Sequence, residues 1–228
     1  MKNRKAVIAL LIFISYFIYN NLQALPLVLL GIDYNNLSLT TKVIYLLLYE
    51  LSYIIILFLV FKKTFIEKFK EFIKNFKPLV KKYMEYWALS FGLMILCNFI
   101  IVTFFPTSIA TNQENIDMIF NKAPLYIIIS AVLFAPFIEE TIFRLSLRNI
   151  FNNDKLFIII SGLVFGALHV IGSFTSFADL IYIFVYSIPG FVFAYTLVKS
   201  KNIFVPMSLH LFHNGFSMLL SIISTFLF

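Results

Sequence analysis

The stretch Lys42–Phe61, KVIYLLLYELSYIIILFLVF, decides the class of fold. At 1.5 Å of rise per residue, about 20 apolar residues in a helix cross the hydrocarbon core of a bilayer. This run has that length, with Glu50 as its sole acid. Working outward, six further apolar runs can be marked off: Ala6–Asn20, Tyr83–Phe105, Pro124–Leu147, Leu156–Ile171, Leu180–Val198 and Ile203–Phe228. The first and fifth are short, and Leu25–Gly31 reads as a re-entrant piece or a continuation of the first helix past Pro26. Composition agrees. Hydrophobic residues make up 61% of the 228, and 29 are Phe; the mean hydropathy is +0.94. Charged residues are 13%, about half of what coats a soluble domain. Scarce Gly, Pro and Cys remove collagen, disorder and a disulfide scaffold, and the lone Cys97 forms no internal disulfide. The expected fold is all-α: a polytopic transmembrane bundle of about seven spanning helices.

The basic residues give the expected orientation. With a cytoplasmic N-terminus, the inner side holds Lys2, Arg4, Lys5, eight lysines between Lys62 and Lys82, then Arg148, Lys155, Lys199 and Lys201. Those are 15 of the 18 basic residues; Lys42 and Lys122 fall outside and Arg144 within a span. Seven spans then put the C-terminus outside. Small residues suited to signal-peptide cleavage do not follow the first run, so it is expected to stay as an anchor. Between Lys62 and Lys82, Phe65, Phe69, Phe72, Ile73, Phe76 and Val80 recur at helical spacing with lysines on the other faces. That pattern predicts an amphipathic helix in the headgroup plane of an anionic leaflet; a solvated linker with snorkelling lysines is the alternative. The net charge of +7 is therefore a mark of membrane sidedness. No polar module able to enter a nucleic-acid groove is visible, so nucleic acid is not an expected partner.

Ionisable groups inside a span are costly, and a function is the default expectation for them. Glu139, Glu140 and Arg144 lie in the fourth run, His169 in the fifth, and His210 and His213 in the seventh. Glu140 and Arg144 are four apart, so they share a helix face and can pair. Glu139 points about 100° away and has no local partner, a setting that suits a general base. A helix-packing ion pair with a spare acid is the competing explanation. Gly166 and Ala167, before His169, let a neighbouring helix approach closely. His210 and Asn214 again share a face and can donate to a developing oxyanion, orient a metal, or form a polar seam. Counted from the basic residues at the inner face, Glu139 and His210 both come out about 13 Å deep, and His169 about 21 Å. A tilted fifth helix, or one that starts in the cytosol, would bring His169 level.

Taken together, Glu-Glu-x-x-x-Arg, Phe-x-x-x-His and His-x-x-x-Asn, each on its own apolar segment, resemble the motif set of the CPBP family. These are intramembrane proteases (CAAX protease and bacteriocin-processing, or Abi) that include type II CAAX prenyl endopeptidases. The resemblance covers about residues 124–228, so the chain reads as an N-terminal membrane region, 1–122, without motifs, and a catalytic membrane core, 123–228. It implies that Glu139 activates water with His169 beside it, that His210 and Asn214 bind the oxyanion, and that Glu140 and Arg144 support them. It implies a peptide or protein substrate at the bilayer, hydrolysed without a covalent intermediate, in peptide processing or bacteriocin immunity. Zinc, held by His169 and His210 with Glu139, is one version of the site; Glu and His activating water without metal is the favoured one. His213 and Glu50 match no motif, and Glu50 reads as a buried hydrogen-bonding acid. Two other classes compete: a non-catalytic immunity or scaffold protein that binds a peptide or membrane partner, and a small transporter or proton relay.

Overall fold

A computed structural model describes residues 2–104, 111–172 and 177–227, and they are almost wholly helical, with no strand among them. The principal helices are α1 (Lys2–Asn21), α2 (Leu25–Leu29), α3 (Leu39–Lys74), α4 (Phe76–Phe104), α5 (Thr111–Lys122), α6 (Pro124–Ile150), α7 (Asp154–Ile171), α8 (Tyr182–Ser200) and α9 (Phe204–Leu227). Five of them, α3, α4, α6, α7 and the segment Asp179–Ser200 that contains α8, are long and apolar enough to cross a membrane. Seven spans were expected from the apolar runs. The first is a shorter apolar helix, Ala6–Asn21, and α9, though 24 residues long, carries His210, His213 and Asn214 in its middle. The ends of the third and seventh expected spans, Phe105 and Phe228, lie outside the described residues. The protein is a multi-pass membrane protein, and its outer surface fits that solvent: Leu59, Leu89, Phe99 and Phe184 are all more than 60% exposed.

The basic stretch 62–82 is not a separate interfacial helix. Nothing between Phe61 and Lys74 breaks a helix: there is no Gly or Pro. α3 therefore runs on for 36 residues, about 54 Å, until Asn75 ends it, and α4 starts at Phe76. The amphipathic periodicity is real but serves the bundle. Phe65 and Phe72 are buried, while Ile66, Phe69, Ile73 and Phe76 stay exposed.

Phe65 sits in one apolar cluster with Leu147, Phe157, Leu197 and Ile203. These residues flank the α6–α7 and α8–α9 turns, and Asn202 Nδ2 donates to the Lys68 carbonyl at 2.9 Å. Both turns, with Arg148, Lys155, Lys199 and Lys201, thus gather at the lysine-rich end of α3. The α8–α9 turn is tight because Lys201 takes a left-handed conformation, φ 55°, at the end of α8. A second cluster, Ile12, Tyr53, Leu57, Ile138, Ile142 and Phe165, packs α1 and α3 against α6 and α7.

α6 is not a uniform α-helix. Residues Ile128–Phe134 and Thr141–Ser146 are π-helical, and the α-helical segment Ala135–Glu140 lies between them. Pro136 is the local cause of the first irregularity, since it has no N–H to give the preceding turn. Insertions of this kind are frequent at functional sites. α7 and α8 pack closely through Gly166: a Cβ there would overlap Ser187 Oγ and the Ile183 carbonyl oxygen. The close approach expected at this glycine is met, and Ser161 Oγ holds α7 to α6 by donating to the Phe143 carbonyl at 2.6 Å.

Candidate active site

Glu140 and Arg144 pair as their spacing predicts, at 3.3 Å between Oε1 and Nη1, with both side chains fully buried. The pair also reaches three other helices. Arg144 Nη2 donates to the Gly190 carbonyl of α8 at 3.1 Å. Its guanidinium lies 4.4 Å from the Phe165 ring centroid of α7 and 5.4 Å from that of Phe193 of α8. Glu140 Oε1 lies 2.8 Å from His210 Nδ1 of α9. A planar, delocalised cation is suited to such a stacked and forked position. Arg144 and Glu140 together tie α6, α7, α8 and α9 at one level.

His210 is held between two consecutive carboxylates. Its Nδ1 meets Glu140, and its Nε2 lies 3.8 Å from Glu139 Oε2. The ring stacks on Phe193 at 4.8 Å between centroids. Its partner by spacing, Asn214, donates from Nδ2 to the Ala131 carbonyl at 2.8 Å. That carbonyl is available for a local reason. In the π-helical register Ala135 N–H turns back to the Ser130 carbonyl, five residues earlier. The same step would pair Ala131 with the N–H of residue 136, which is proline. Asn214 takes the vacated acceptor, and its amide is fixed with one N–H still uncommitted.

His169 Nδ1 lies 2.9 Å from the Phe165 carbonyl one turn back, and its ring stacks on Tyr186 of α8 at 5.1 Å. His169, His210, Asn214 and also His213 line one cavity of about 240 Å³, bounded by α7, α8, α9 and α5. α7 begins at Asp154, so the extra depth counted for His169 does not keep it from its partners.

Glu139 does not line that cavity. It lines a second one, of about 180 Å³, together with Tyr16, Asn20, Glu50, Tyr53 and Ser130. The Glu139–His210 contact lies between the two. The structure thus brings His169, His210 and Asn214 to one cavity and Glu139 to the far side of His210. Sequence reasoning read Glu50 as a buried hydrogen-bonding acid but could not name its partners. In the structure its Oε1 accepts from Tyr126 Oη at 3.0 Å and Ser130 Oγ at 2.9 Å. Its position in the middle of an otherwise apolar run was the available signal.

Zinc was one version of the expected site, so the donors matter. His210 Nδ1 is engaged by Glu140 and His169 Nδ1 by a backbone oxygen, the partners that a metal-bound imidazole commonly has on its other nitrogen, so these contacts do not themselves exclude a ligand role for either Nε2. Among the described residues no three of His, Cys, Asp and Glu are grouped so as to hold a metal ion. Glu139 and His169 line different cavities, so with His210 they are not placed as a three-ligand zinc site.

Residues 121–216 match the family model described as Type II CAAX prenyl endopeptidase Rce1-like. Over this region the chain is similar to type II CAAX prenyl endopeptidases, which supports the resemblance to the CPBP family. The matched stretch contains Glu139, Glu140, Arg144, His169, His210 and Asn214. It also contains the π-helical segments and Pro136, which set the Asn214 amide. No curated protein and no solved structure matches the chain.

Proposed function

We propose that the protein is an intramembrane endopeptidase that hydrolyses a peptide bond with water activated by Glu139. The observation that carries this reading is the placement of His210, between the carboxylate of Glu139 and a cavity that also presents His169 and Asn214. The substrate is a peptide or protein at the bilayer, in peptide processing or bacteriocin immunity.

The peptide occupies the larger cavity. Glu139 removes a proton from a water, and the water oxygen forms a bond to the scissile carbonyl carbon. The electron pair of the C=O bond moves onto its oxygen. The free Asn214 N–H donates to that oxyanion, its amide held beforehand by the Ala131 carbonyl, and His210, with Nδ1–H held by Glu140, donates from Nε2–H in the form that carries a proton on both ring nitrogens. When the intermediate collapses the C–N bond breaks, and His169 or Glu139 delivers the proton to the departing amine. The products are a carboxylate and an amine. No step uses a metal ion or a covalent acyl-enzyme.

The gathering of the α6–α7 and α8–α9 turns at the basic end of α3 supports a cytoplasmic position for that end and for the N-terminus, with the C-terminus outside. Residues 123–228 act as the catalytic core, and residues 1–122 form a membrane region without motifs.

Glu139→Ala and His169→Ala, made separately with expression and membrane insertion verified, test the reading. A protease loses peptide cleavage, and any phenotype that depends on it, in both variants. A non-catalytic immunity or scaffold protein keeps its phenotype. A proton relay loses proton flux without any peptide being cut.

A further inference from the structure

The second cavity has no role in the steps above, yet it contains Glu139 and Glu50, an acid that matches no motif. Glu50 stands on α3, and its carboxylate is clamped by hydroxyls from α6, Tyr126 and Ser130, at residues 76 and 80 positions away in sequence. Both clamping groups reach the same oxygen, Oε1. Oε2 of Glu50 and Oε2 of Glu139 are each buried and lack a hydrogen-bond partner among the described residues. Burying a carboxylate oxygen in that way is expensive unless water satisfies it. The space is there: about 180 Å³, walled by Tyr16, Asn20, Tyr53 and Ser130 besides the two acids. Each water takes about 30 Å³ of liquid volume, so several fit.

We infer that Glu50 is a positioning residue that holds a chamber of water against Glu139. The attacking water then reaches the site from the α1–α3 side, while the peptide occupies the cavity formed by α7, α8 and α9. The two reactants of hydrolysis enter by different doors, and the Glu139–His210 contact is where they meet. This division rests on the endopeptidase reading. It adds to that reading a carboxylate from the N-terminal membrane region, outside the matched residues 121–216.

Two readouts on the purified full-length protein test it. The first is radiolytic hydroxyl labelling, which marks side chains next to ordered internal water. Tyr53 and Tyr182 are equally buried, at 3% exposure each, but only Tyr53 lines the chamber. Tyr53 labels well above Tyr182 in the wild type, and several-fold less in Glu50→Leu. The second is cleavage of a membrane-peptide extract in ¹⁸O-water, read as new ¹⁸O-labelled carboxyl termini. Glu50→Leu lowers kcat about tenfold with KM unchanged, and Glu50→Gln, which keeps an acceptor, restores most of it. Should Glu50→Leu not fold, Tyr126→Phe with Ser130→Ala releases the same carboxylate and lowers both signals. Tyr53 labelling no stronger than Tyr182 overturns the inference, because the chamber is then dry. Labelling that falls while kcat stays constant overturns it too, since the water then feeds nothing. If the wild type cuts no peptide while labelling still follows Glu50, the endopeptidase reading has failed, and the positioning role falls with it.

Discussion

Asn214 Nδ2 donates to the Ala131 carbonyl oxygen at 2.8 Å, across 83 residues of sequence. Pro136 is the reason that oxygen is free, since the π-helical step would otherwise spend it on the N–H of residue 136. A side chain on α9 is thus oriented by the backbone of α6.

Restoring the N–H should therefore disturb Asn214. Pro136→Ala is expected to lower kcat severalfold with little effect on the folded fraction. Asn214→Ala, which removes the donor itself, lowers kcat by about a hundredfold. Steady-state cleavage of a peptide found by mass spectrometry checks both, and the smaller loss must belong to Pro136→Ala.

The buried ion pair makes a stability prediction. Arg144→Ala leaves Glu140 charged and enclosed at 0% exposure, which costs about 3–5 kcal/mol. Arg144→Lys should not rescue it, because an ammonium cannot lie flat on Phe165 while donating to Gly190. Thermal unfolding in detergent should show a lower Tm for both variants. A lysine variant as stable as the wild type would mean that the stacked geometry contributes nothing.

Much of the site follows from spacing alone. Glu140 and Arg144 at i,i+4, and His210 and Asn214 at i,i+4, each end on one helix face as helical geometry requires. Spacing within one helix says nothing of how that helix is rotated against its neighbours. This is why Glu139 was expected beside His169 and instead faces the other cavity, and why the clamp on Glu50 was not visible. The hydroxyls that hold it lie on α6, whose turns the π segments shift. The continuous α3 was hidden for a different reason. Lysines at 62–82 resemble a headgroup-plane helix whether or not the chain bends at Phe61, and hydropathy does not register the absence of a breaker.

The α7–α8 contact leaves no room at Gly166. Gly166→Ala forces the new methyl onto the Ile183 carbonyl, destabilising by about 1–3 kcal/mol, and it shifts His169 in the next turn. Adding Ser187→Ala should recover only part of the loss, because the backbone oxygen stays. Gly92→Ala is the matched control: nothing lies within 4 Å of its added Cβ. Equal Tm values for Gly166→Ala and Gly92→Ala would refute the close packing.

The separation of Glu139 and His169 into different cavities also predicts the outcome of metal removal. Cleavage should persist after treatment with EDTA and 1,10-phenanthroline, and the purified protein should carry far less than one zinc per chain by elemental analysis. Loss of activity on chelation, with recovery on adding zinc, would show that His169 and His210 rearrange into ligands.

The most direct measurement of the central claim uses purified protein reconstituted into liposomes with an extract of membrane peptides. New carboxyl termini are counted by mass spectrometry for the wild type and for Glu139→Ala. The wild type should generate a defined set of cut peptides, and the variant, equally folded and inserted, should generate none. Identical product sets from both proteins would contradict the assignment of Glu139 as the residue that activates water.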